Sequence, residues 1–188
     1  MRFEDSPKYR MGDASQTRWC RHLAATGMCA MPAYGATGNT AVTKAPALYT
    51  VTGTVVLPDV LVLSPGHKSW HEVKAKTDPT WRRLPPGPRW EHGIDLALVP
   101  HYTECEERTG IPVWIVVHEI NSPADPGQDS PLTGPEIWLG ITLRTAVASG
   151  QARATWPGGA ARPQERGRDG KGGWLWARSQ MSRLRGPR

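Results

Sequence analysis

The chain has 188 residues and a mass of 20.6 kDa, which suits one domain with an extension better than two full-sized domains with separate cores. No run of apolar residues approaches the roughly 20 that a membrane-spanning helix needs, and the N-terminal MRFEDSPKYR lacks the apolar stretch of a signal peptide, so we expect a cytoplasmic protein without membrane contacts. The net charge of +6 is concentrated in residues 151–188, where nine Lys and Arg residues accompany only two acidic ones.

The first predicted element is a helix over residues 13–25. It opens with Asp13, an N-cap type of residue, and Gly27 follows its end, as is common at helix C-termini. Residues 26–48 are rich in small residues, Gly and Pro, and this composition predicts loop or irregular strand. We expect no catalytic group in that segment.

A β-hairpin is predicted next. Residues 48–63 are rich in β-branched side chains, and Gly53 and Pro58 interrupt them, which indicates two strands or one bent strand. A turn at residues 64–66 (Ser-Pro-Gly) leads into a strand over residues 67–77. The two-residue period of a strand places four side chains on one face: Trp70, Glu72, Lys74 and Lys76.

The later part of the chain alternates between loop and regular structure. Residues 78–93 have loop composition, and a helix is predicted over residues 99–109. The almost continuous apolar run at residues 111–120 is typical of a buried central strand. Residues 136–148 predict a short strand followed by a half-turn or helix, and residues 174–184 predict a short strand and helical turn that dock back.

The composition changes at about residue 150. We therefore expect a core over residues 1–150 and a basic, Gly- and Pro-rich C-terminal extension, partly flexible, over residues 151–188. Two roles stay open for the extension: contacts to nucleic-acid phosphates, which added salt would weaken, or a solvated tail that aids solubility.

The predicted hairpin carries two carboxylates and a lysine at positions that can face each other across its two strands. Asp59 follows Pro58 on the first strand, and Glu72-Val73-Lys74 lies on the second, so antiparallel pairing can bring the three charged side chains together. Adjacent carboxylates repel unless a cation lies between them, and oxygen ligands of this kind suit Mg²⁺. A cation there would activate water and neutralise phosphoryl charge, assisted by a neighbouring lysine. The pattern favours phosphodiester hydrolysis.

The arrangement Pro58-Asp59 followed by Glu72-Val73-Lys74 resembles the active-site signature of the PD-(D/E)xK nuclease superfamily. This superfamily has a restriction-endonuclease-like fold and includes Holliday-junction resolvases and small phage nucleases. The resemblance covers about residues 13–120 and implies an α/β fold, with a mixed central sheet flanked by helices in the order helix, three strands, helix, strand.

The resemblance also implies a function. It implies a Mg²⁺-dependent nuclease, with Mn²⁺ able to substitute, in which Asp59, Glu72 and the backbone carbonyl of Val73 bind the metal. Lys74 would position the attacking water or stabilise charge. DNA is the implied substrate, with RNA not excluded, in the cytoplasm of a bacterial cell or phage-infected host. Some members form homodimers, and some add an acidic or Gln side chain from the first helix, for which Glu4, Asp13 and Gln16 are candidates.

A basic and aromatic segment follows the proposed site. Such a segment can grip phosphates and stack bases, or it can be a solvated loop whose tryptophans fold onto the sheet. His92, in a His-Gly-Ile stretch similar to one in small phage nucleases, would touch the scissile phosphate or leaving group. The predicted nucleic-acid-binding residues are Lys76, Trp81, Arg82, Arg83, Arg89 and His92.

Other chemistries find less support. The spacing of Cys20, His22, Cys29 and Cys105 fits no strong zinc pattern, and packing roles are expected for them. The chain has no Walker-type, dinucleotide-binding or nucleophile-elbow motif. Two alternatives to a nuclease remain: a catalytically inactive DNA-binding or assembly module of the same fold, or an accessory protein whose basic tail docks on an acidic partner. Exonuclease or endonuclease action, substrate specificity and oligomeric state stay open.

Overall fold

The computed structural model describes residues 6–33, 47–51, 53–77, 79–82, 87–123, 135–153 and 172–187. Among these residues, no helix combines the length and apolar composition that crossing a membrane requires. In chain order the elements are α1 (Pro7–Ala25), β1 (Cys29–Pro32), β2 (Ala47–Thr50), β3 (Gly53–Val56), β4 (Val60–Ser64), β5 (His67–Lys76), β6 (Thr80–Arg82), β7 (Arg89–Asp95), α2 (Leu98–Thr109), β8 (Val113–Glu119), β9 (Ile137–Thr142), α3 (Leu143–Ser149), β10 (Gln151–Arg153), β11 (Gly173–Ala177), a 3-10 turn (Arg178–Gln180) and β12 (Ser182–Leu184).

A mixed six-stranded sheet organises the described part of the chain. Its strand order is β1-β4-β5-β8-β9-β12, and all neighbours are antiparallel except β5 and β8. Successive side chains of β8 point to opposite faces of this sheet. Val116 packs with Trp19 and Leu23 of α1, whereas Ile115 and Val117 pack in the cluster that contains side chains of α2 and α3. Helices therefore flank the sheet on both faces.

The order helix, three strands, helix, strand is present as α1, β1, β4, β5, α2 and β8. The β2–β3 hairpin lies between β1 and β4 in the chain, and β6 and β7 lie between β5 and α2. The predicted fold class is therefore confirmed as an α/β protein whose mixed central sheet is flanked by helices, with the core elements in the predicted order.

The first helix begins earlier than the sequence predicts. Pro7 occupies its first turn, and the Ser6 side chain caps it by accepting a hydrogen bond from the Tyr9 N–H at 3.2 Å. Asp13 is an exposed residue inside the helix, so its predicted capping role is wrong. Ser6 and Pro7 together make a stronger start than Asp13, and the buried positions Ser15, Trp19 and Leu23 recur every four residues.

The hairpin around the proposed site follows the prediction closely. β4 and β5 pair antiparallel from Val60 opposite His71 to Ser64 opposite His67. Gly66, in the connecting turn, has φ 74°, a left-handed conformation that glycine adopts without strain. The stretch predicted as two strands or one bent strand is divided among β2, β3 and β4, and Asp59 lies in the break directly before β4.

The loop predicted over residues 78–93 is wrong in part, because β6 and most of β7 lie within it. β7 pairs with β11 and with β6 in a four-stranded sheet of order β10-β11-β7-β6. Its buried residues include Glu91 and His92, so burial does not follow the apolar pattern that a strand prediction uses. A Cβ at Gly93 would lie 2.6 Å from the Trp174 carbonyl oxygen, so only glycine permits the close approach of β7 and β11.

The C-terminal residues dock back as a short strand and helical turn, as predicted. β11 pairs with β7, and β12 pairs with β9 at the edge of the large sheet. Trp176 in β11 is 0% exposed. Residues 154–171 lie outside the described residues, and the division of the chain at residue 150 stays a prediction.

Candidate active site

Asp59 lies where α1, β1 and β5 meet. Its carbonyl accepts hydrogen bonds from the N–H of Ala33 at 2.7 Å and from Nε2 of Gln16 at 3.3 Å. Its carboxylate Oδ2 accepts the backbone N–H of Val73 at 2.8 Å. These bonds tie Asp59 to α1, to the residue after β1 and to β5, and its carboxyl group is near enough to Glu72 and Lys74 for both to affect its pKa.

Glu72 is buried, with 3% of its side chain exposed, and both of its carboxylate oxygens have partners. Lys74 Nζ lies 2.5 Å from Oε1, and the Tyr102 hydroxyl donates to Oε2 at 2.6 Å. Lys74 lies two residues along the same strand, so its side chain leaves the same face as that of Glu72. Tyr102 reaches the carboxylate from α2. The glutamate of the E-x-K triplet is thus held between an ammonium group and a phenol.

The electrostatics of Asp59, Glu72 and Lys74 bear on cation binding. Burial raises the pKa of Asp59, the neighbouring Glu72 adds to the rise, and the value reaches about 7 although Lys74 opposes it. Burial alone would lower the pKa of Lys74, but Glu72 and then Asp59 raise it above its usual value. Lys74 is therefore protonated at neutral pH, while Asp59 is only partly ionised.

The donor set fits a hard divalent cation. Burial and then the neighbouring Glu72 raise the pKa of Asp59, so ionising both carboxylates is unfavourable unless a further cation joins Lys74 beside them. Carboxylate oxygens are the protein ligands that Mg²⁺ uses, usually one or two together with water. Among the described residues, no group of three His, Cys, Asp or Glu side chains could hold a metal. Further ligands would therefore be backbone oxygens or water, and the Val73 carbonyl stays a predicted one.

The three candidate residues from the first helix differ in their position relative to Asp59. Gln16 is brought to the site through its hydrogen bond to the Asp59 carbonyl. Asp13 is exposed on α1, and Glu4 lies outside the described residues. Of these three candidates, Gln16 is the one whose contact with Asp59 the structure describes.

The predicted nucleic-acid-binding residues lie on β5, β6 and β7 as far as the structure describes them. Lys76 ends β5 and lines a cavity of about 20 Å³ with Thr80, Glu91 and His92. Trp81 and Arg82 belong to β6, and Arg83 lies outside the described residues. The binding roles of these residues stay predictions.

His92 and Arg89 lie in β7, not in the predicted loop. The His92 side chain is 1% exposed, and its Nε2 lies 2.6 Å from Oε1 of Glu119, so the ring is enclosed instead of free to touch a phosphate. Arg89 pairs with the buried Glu91 at 2.8 Å. The sequence did not reveal the His92–Glu119 contact because Glu119 comes from β8, 27 residues farther along the chain.

Arg178 completes a buried network that sequence reasoning missed. Its Nε and one terminal nitrogen donate to the two oxygens of Glu119 at 2.7 and 2.9 Å, and a further bond of 3.1 Å reaches Ser122. Burial opposes ionisation of Glu119, but the hydrogen bonds from His92 and Arg178 lower its pKa to about 2. Arg178 lies in the segment 174–184 that was predicted to dock back, and its bonds to Glu119 are part of that docking.

A Ser-His-Glu arrangement lies between α1 and the sheet. Ser15 Oγ is 2.8 Å from His118 Nδ1, and His118 Nε2 is 3.0 Å from Glu136 Oε1. Ser15 and His118 are both buried, and the His118 ring stacks on Trp138 with centroids 4.2 Å apart. A substrate could not reach this serine without separating helix from sheet, so the contact is structural.

The three cysteines differ in burial. Cys105 is buried, Cys20 is partly buried, Cys29 is exposed, and all three are free thiols. Burial raises the pKa of the Cys105 thiol to about 11, which makes it unreactive at neutral pH. Neither a disulfide nor a metal cluster involves them in the described part of the chain.

No protein-family model matches this chain, and no curated protein sequence matches it. Among solved structures, it is similar to a Holliday junction resolvase, Hjc, from the archaeal hyperthermophile Archaeoglobus fulgidus. The two share 12% sequence identity, the alignment covers 89% of each chain, and the TM-score is 0.46.

Proposed function

We propose that this protein is a divalent-cation-dependent nuclease that hydrolyses phosphodiester bonds in DNA. The observation that carries the proposal is the convergence of Asp59, Glu72 and Lys74. Lys74 Nζ lies 2.5 Å from Glu72, and Asp59 binds the amide of the residue between them. A buried acidic pair with an incompletely compensated charge and an adjacent lysine suits the chemistry of phosphoryl groups.

Asp59 and Glu72 would hold the cation, Mg²⁺ with Mn²⁺ as a substitute, and the Val73 carbonyl is a further proposed ligand. When bound, such a cation lowers the pKa of water and neutralises charge on a phosphoryl oxygen. Because Asp59 has a pKa of about 7, it must give up its residual proton to become a full ligand at neutral pH. Cation binding is therefore expected to release protons.

In this proposal Lys74 supplies a positive charge and hydrogen-bond donors. Its raised pKa keeps the ammonium protonated, so it cannot serve as a general base at neutral pH. It can donate hydrogen bonds to a non-bridging phosphate oxygen or orient the attacking water. About a third of its side chain is exposed, at 31%, so a phosphate can approach it.

DNA is the proposed substrate, held in part by Lys76 at the end of β5 and by the basic C-terminal extension. A homodimer is proposed because two strands of a duplex or junction require two cuts, and each protomer carries one candidate site. A cytoplasmic location is part of the same proposal.

One observation favours a second candidate function, an inactive DNA-binding or assembly module. In the structure both Glu72 oxygens are satisfied inside the protein, by Lys74 and Tyr102, as in a structural ion pair. Such a module would bind nucleic acid without any dependence on divalent cations.

The decisive experiment incubates the full chain with labelled linear duplex, single strand, flap and four-way junction, with and without Mg²⁺ or Mn²⁺. A nuclease cuts at least one substrate only when the cation is present, and Glu72→Gln abolishes the cut while DNA binding persists. Binding without cleavage of any substrate, unaffected by cations and by Glu72→Gln, would favour the inactive module.

A further inference from the structure

Tyr102 lies on the second turn of α2 and contacts the candidate site from the face of the large sheet on which α2 packs. It is 2% exposed and belongs to the core cluster that also holds Cys105, Ile115 and Val117. Packing therefore holds the ring, and the hydroxyl is the polar end that meets Glu72. The phenol donates to Oε2 at 2.6 Å, a length typical of a charge-assisted bond from O–H to a carboxylate.

The other oxygen of Glu72 has a partner of a different kind. Oε1 lies 2.5 Å from the Lys74 ammonium, whose side chain is 31% exposed and ends a flexible four-carbon stem. The two oxygens therefore differ in how readily their partners can leave. Lys74 can swing toward solvent, whereas Tyr102 cannot withdraw without disturbing the core.

From this asymmetry we propose that Tyr102 is a positioning residue for cation binding. It fixes Oε2 of Glu72, so Oε1 is the oxygen at which a divalent cation exchanges with the Lys74 ammonium. The inference rests on the proposed function and adds to it a residue outside the hairpin that carries the acidic pair. It also assigns different tasks to the two oxygens of one carboxylate.

The consequence of removing the hydroxyl follows from the geometry. In Tyr102→Phe the ring and its packing stay, but Oε2 faces an apolar surface without a donor, and the carboxylate is free to rotate about its last torsion. In this variant the bound cation must itself hold the Glu72 carboxylate in one orientation, which the phenol does in the native protein. Loss of such an outer partner typically weakens metal affinity by about 10- to 100-fold.

The test measures the thermal unfolding midpoint of the full chain across a range of Mg²⁺ and of Mn²⁺ concentrations, alongside cleavage at each concentration. Tyr102→Phe is expected to need about 10- to 100-fold more cation for the half-maximal shift, and its cleavage rate should recover as the cation approaches saturation. Cys105→Ala is the matched control, because it alters the same buried face of α2 one turn away without touching Glu72. It should lower the midpoint at every concentration and leave the cation dependence unchanged.

Two results would overturn the inference. One is a Tyr102→Phe protein whose half-maximal cation concentration stays within twofold of the native one, and the other is a loss of cleavage that no cation concentration restores. Either result can arise while the native protein binds cations and cuts DNA, so the proposed function would survive. If the native protein itself neither responds to cations nor cuts, the proposed function fails and the inference fails with it.

Discussion

The backbone N–H of Val73 donates to Oδ2 of Asp59 across 2.8 Å. This bond joins the two halves of the charged motif through the main chain, so the position of the aspartate depends on the strand that carries Glu72 and Lys74. No substitution at position 73 other than proline removes this main-chain donor. The acidic pair is thus preorganised by the pairing of β4 and β5 instead of by flexible side chains.

Replacing Asp59 by Asn should separate chemistry from folding. The amide oxygen of Asn can still accept the Val73 N–H, but the negative charge that would bind a cation is lost. We expect cleavage to fall by about 100-fold or more, since a cation contributes several kcal/mol to transition-state stabilisation. The unfolding midpoint should stay the same or rise, because a buried like-charge repulsion disappears. Glu107→Gln, at an exposed position of α2, is the control and should cut at the native rate. Retained cleavage in Asp59→Asn would contradict the assignment.

Replacing Lys74 by Met should change cation binding and cleavage in opposite directions. Met keeps much of the stem but removes the ammonium that neutralises Glu72 and Asp59. Two acidic groups without their internal cation should bind an external one more tightly, so we expect a larger rise in the unfolding midpoint on adding Mn²⁺ at pH 8. Cleavage should be lost at the same time. Calorimetry of Mn²⁺ binding checks the affinity, and weaker binding in Lys74→Met would show that Lys74 helps to hold the cation site together.

Acid should weaken the fold through Glu119. Its pKa is about 2 in the folded protein against an ordinary 4.5, so its contribution to stability is fully present above about pH 4.5 and is lost as the pH falls toward 2. The loss is on the order of 3 kcal/mol in the free energy of unfolding. Urea unfolding at several pH values should show this slope in the native protein and a flatter one in Glu119→Gln, which is less stable near neutrality.

The acid experiment has two internal checks. Burial lowers the pKa of His71 to about 4, so protonation of that residue weakens the fold between about pH 6.5 and 4, equally in native protein and Glu119→Gln. Glu104→Gln removes a surface pair with Arg108 on α2 and should change stability by no more than about 0.5 kcal/mol. Parallel pH profiles of the native protein and Glu119→Gln below pH 4.5 would argue against the buried network.

Removing the Trp176 side chain should destabilise the whole core, although the residue lies in the basic C-terminal extension. The side chain is 0% exposed and packs in the main cluster, so Trp176→Ala is expected to cost about 3–5 kcal/mol in the free energy of unfolding. Arg183→Ala, on an exposed position of β12, should cost less than about 0.5 kcal/mol. Chemical denaturation measures both; a small effect of Trp176→Ala would mean that β11 is not part of the cooperative unit.

Local patterns in the sequence predicted the hairpin that carries the candidate site. β-branched residues, the Ser-Pro-Gly turn and the two-residue alternation from Trp70 to Lys76 all act between near neighbours, and the structure follows them in β4 and β5. The α2 helix and β8 were predicted for the same reason. The β7 strand was not, because its burial depends on pairing with β11, some 80 residues away in the chain.

By itself, then, the order of residues determined which charged groups could meet across one tight turn, because the period of a strand and the geometry of a turn are short-range properties. Only the tertiary structure decided which distant side chains enclose them. Tyr102 meets Glu72 over 30 positions and Arg178 meets Glu119 over 59, and each contact exists because separate elements pack on the same sheet. Contacts between residues so far apart in the chain produce no local periodic pattern in the sequence, since they depend on how whole helices and strands bury their apolar faces.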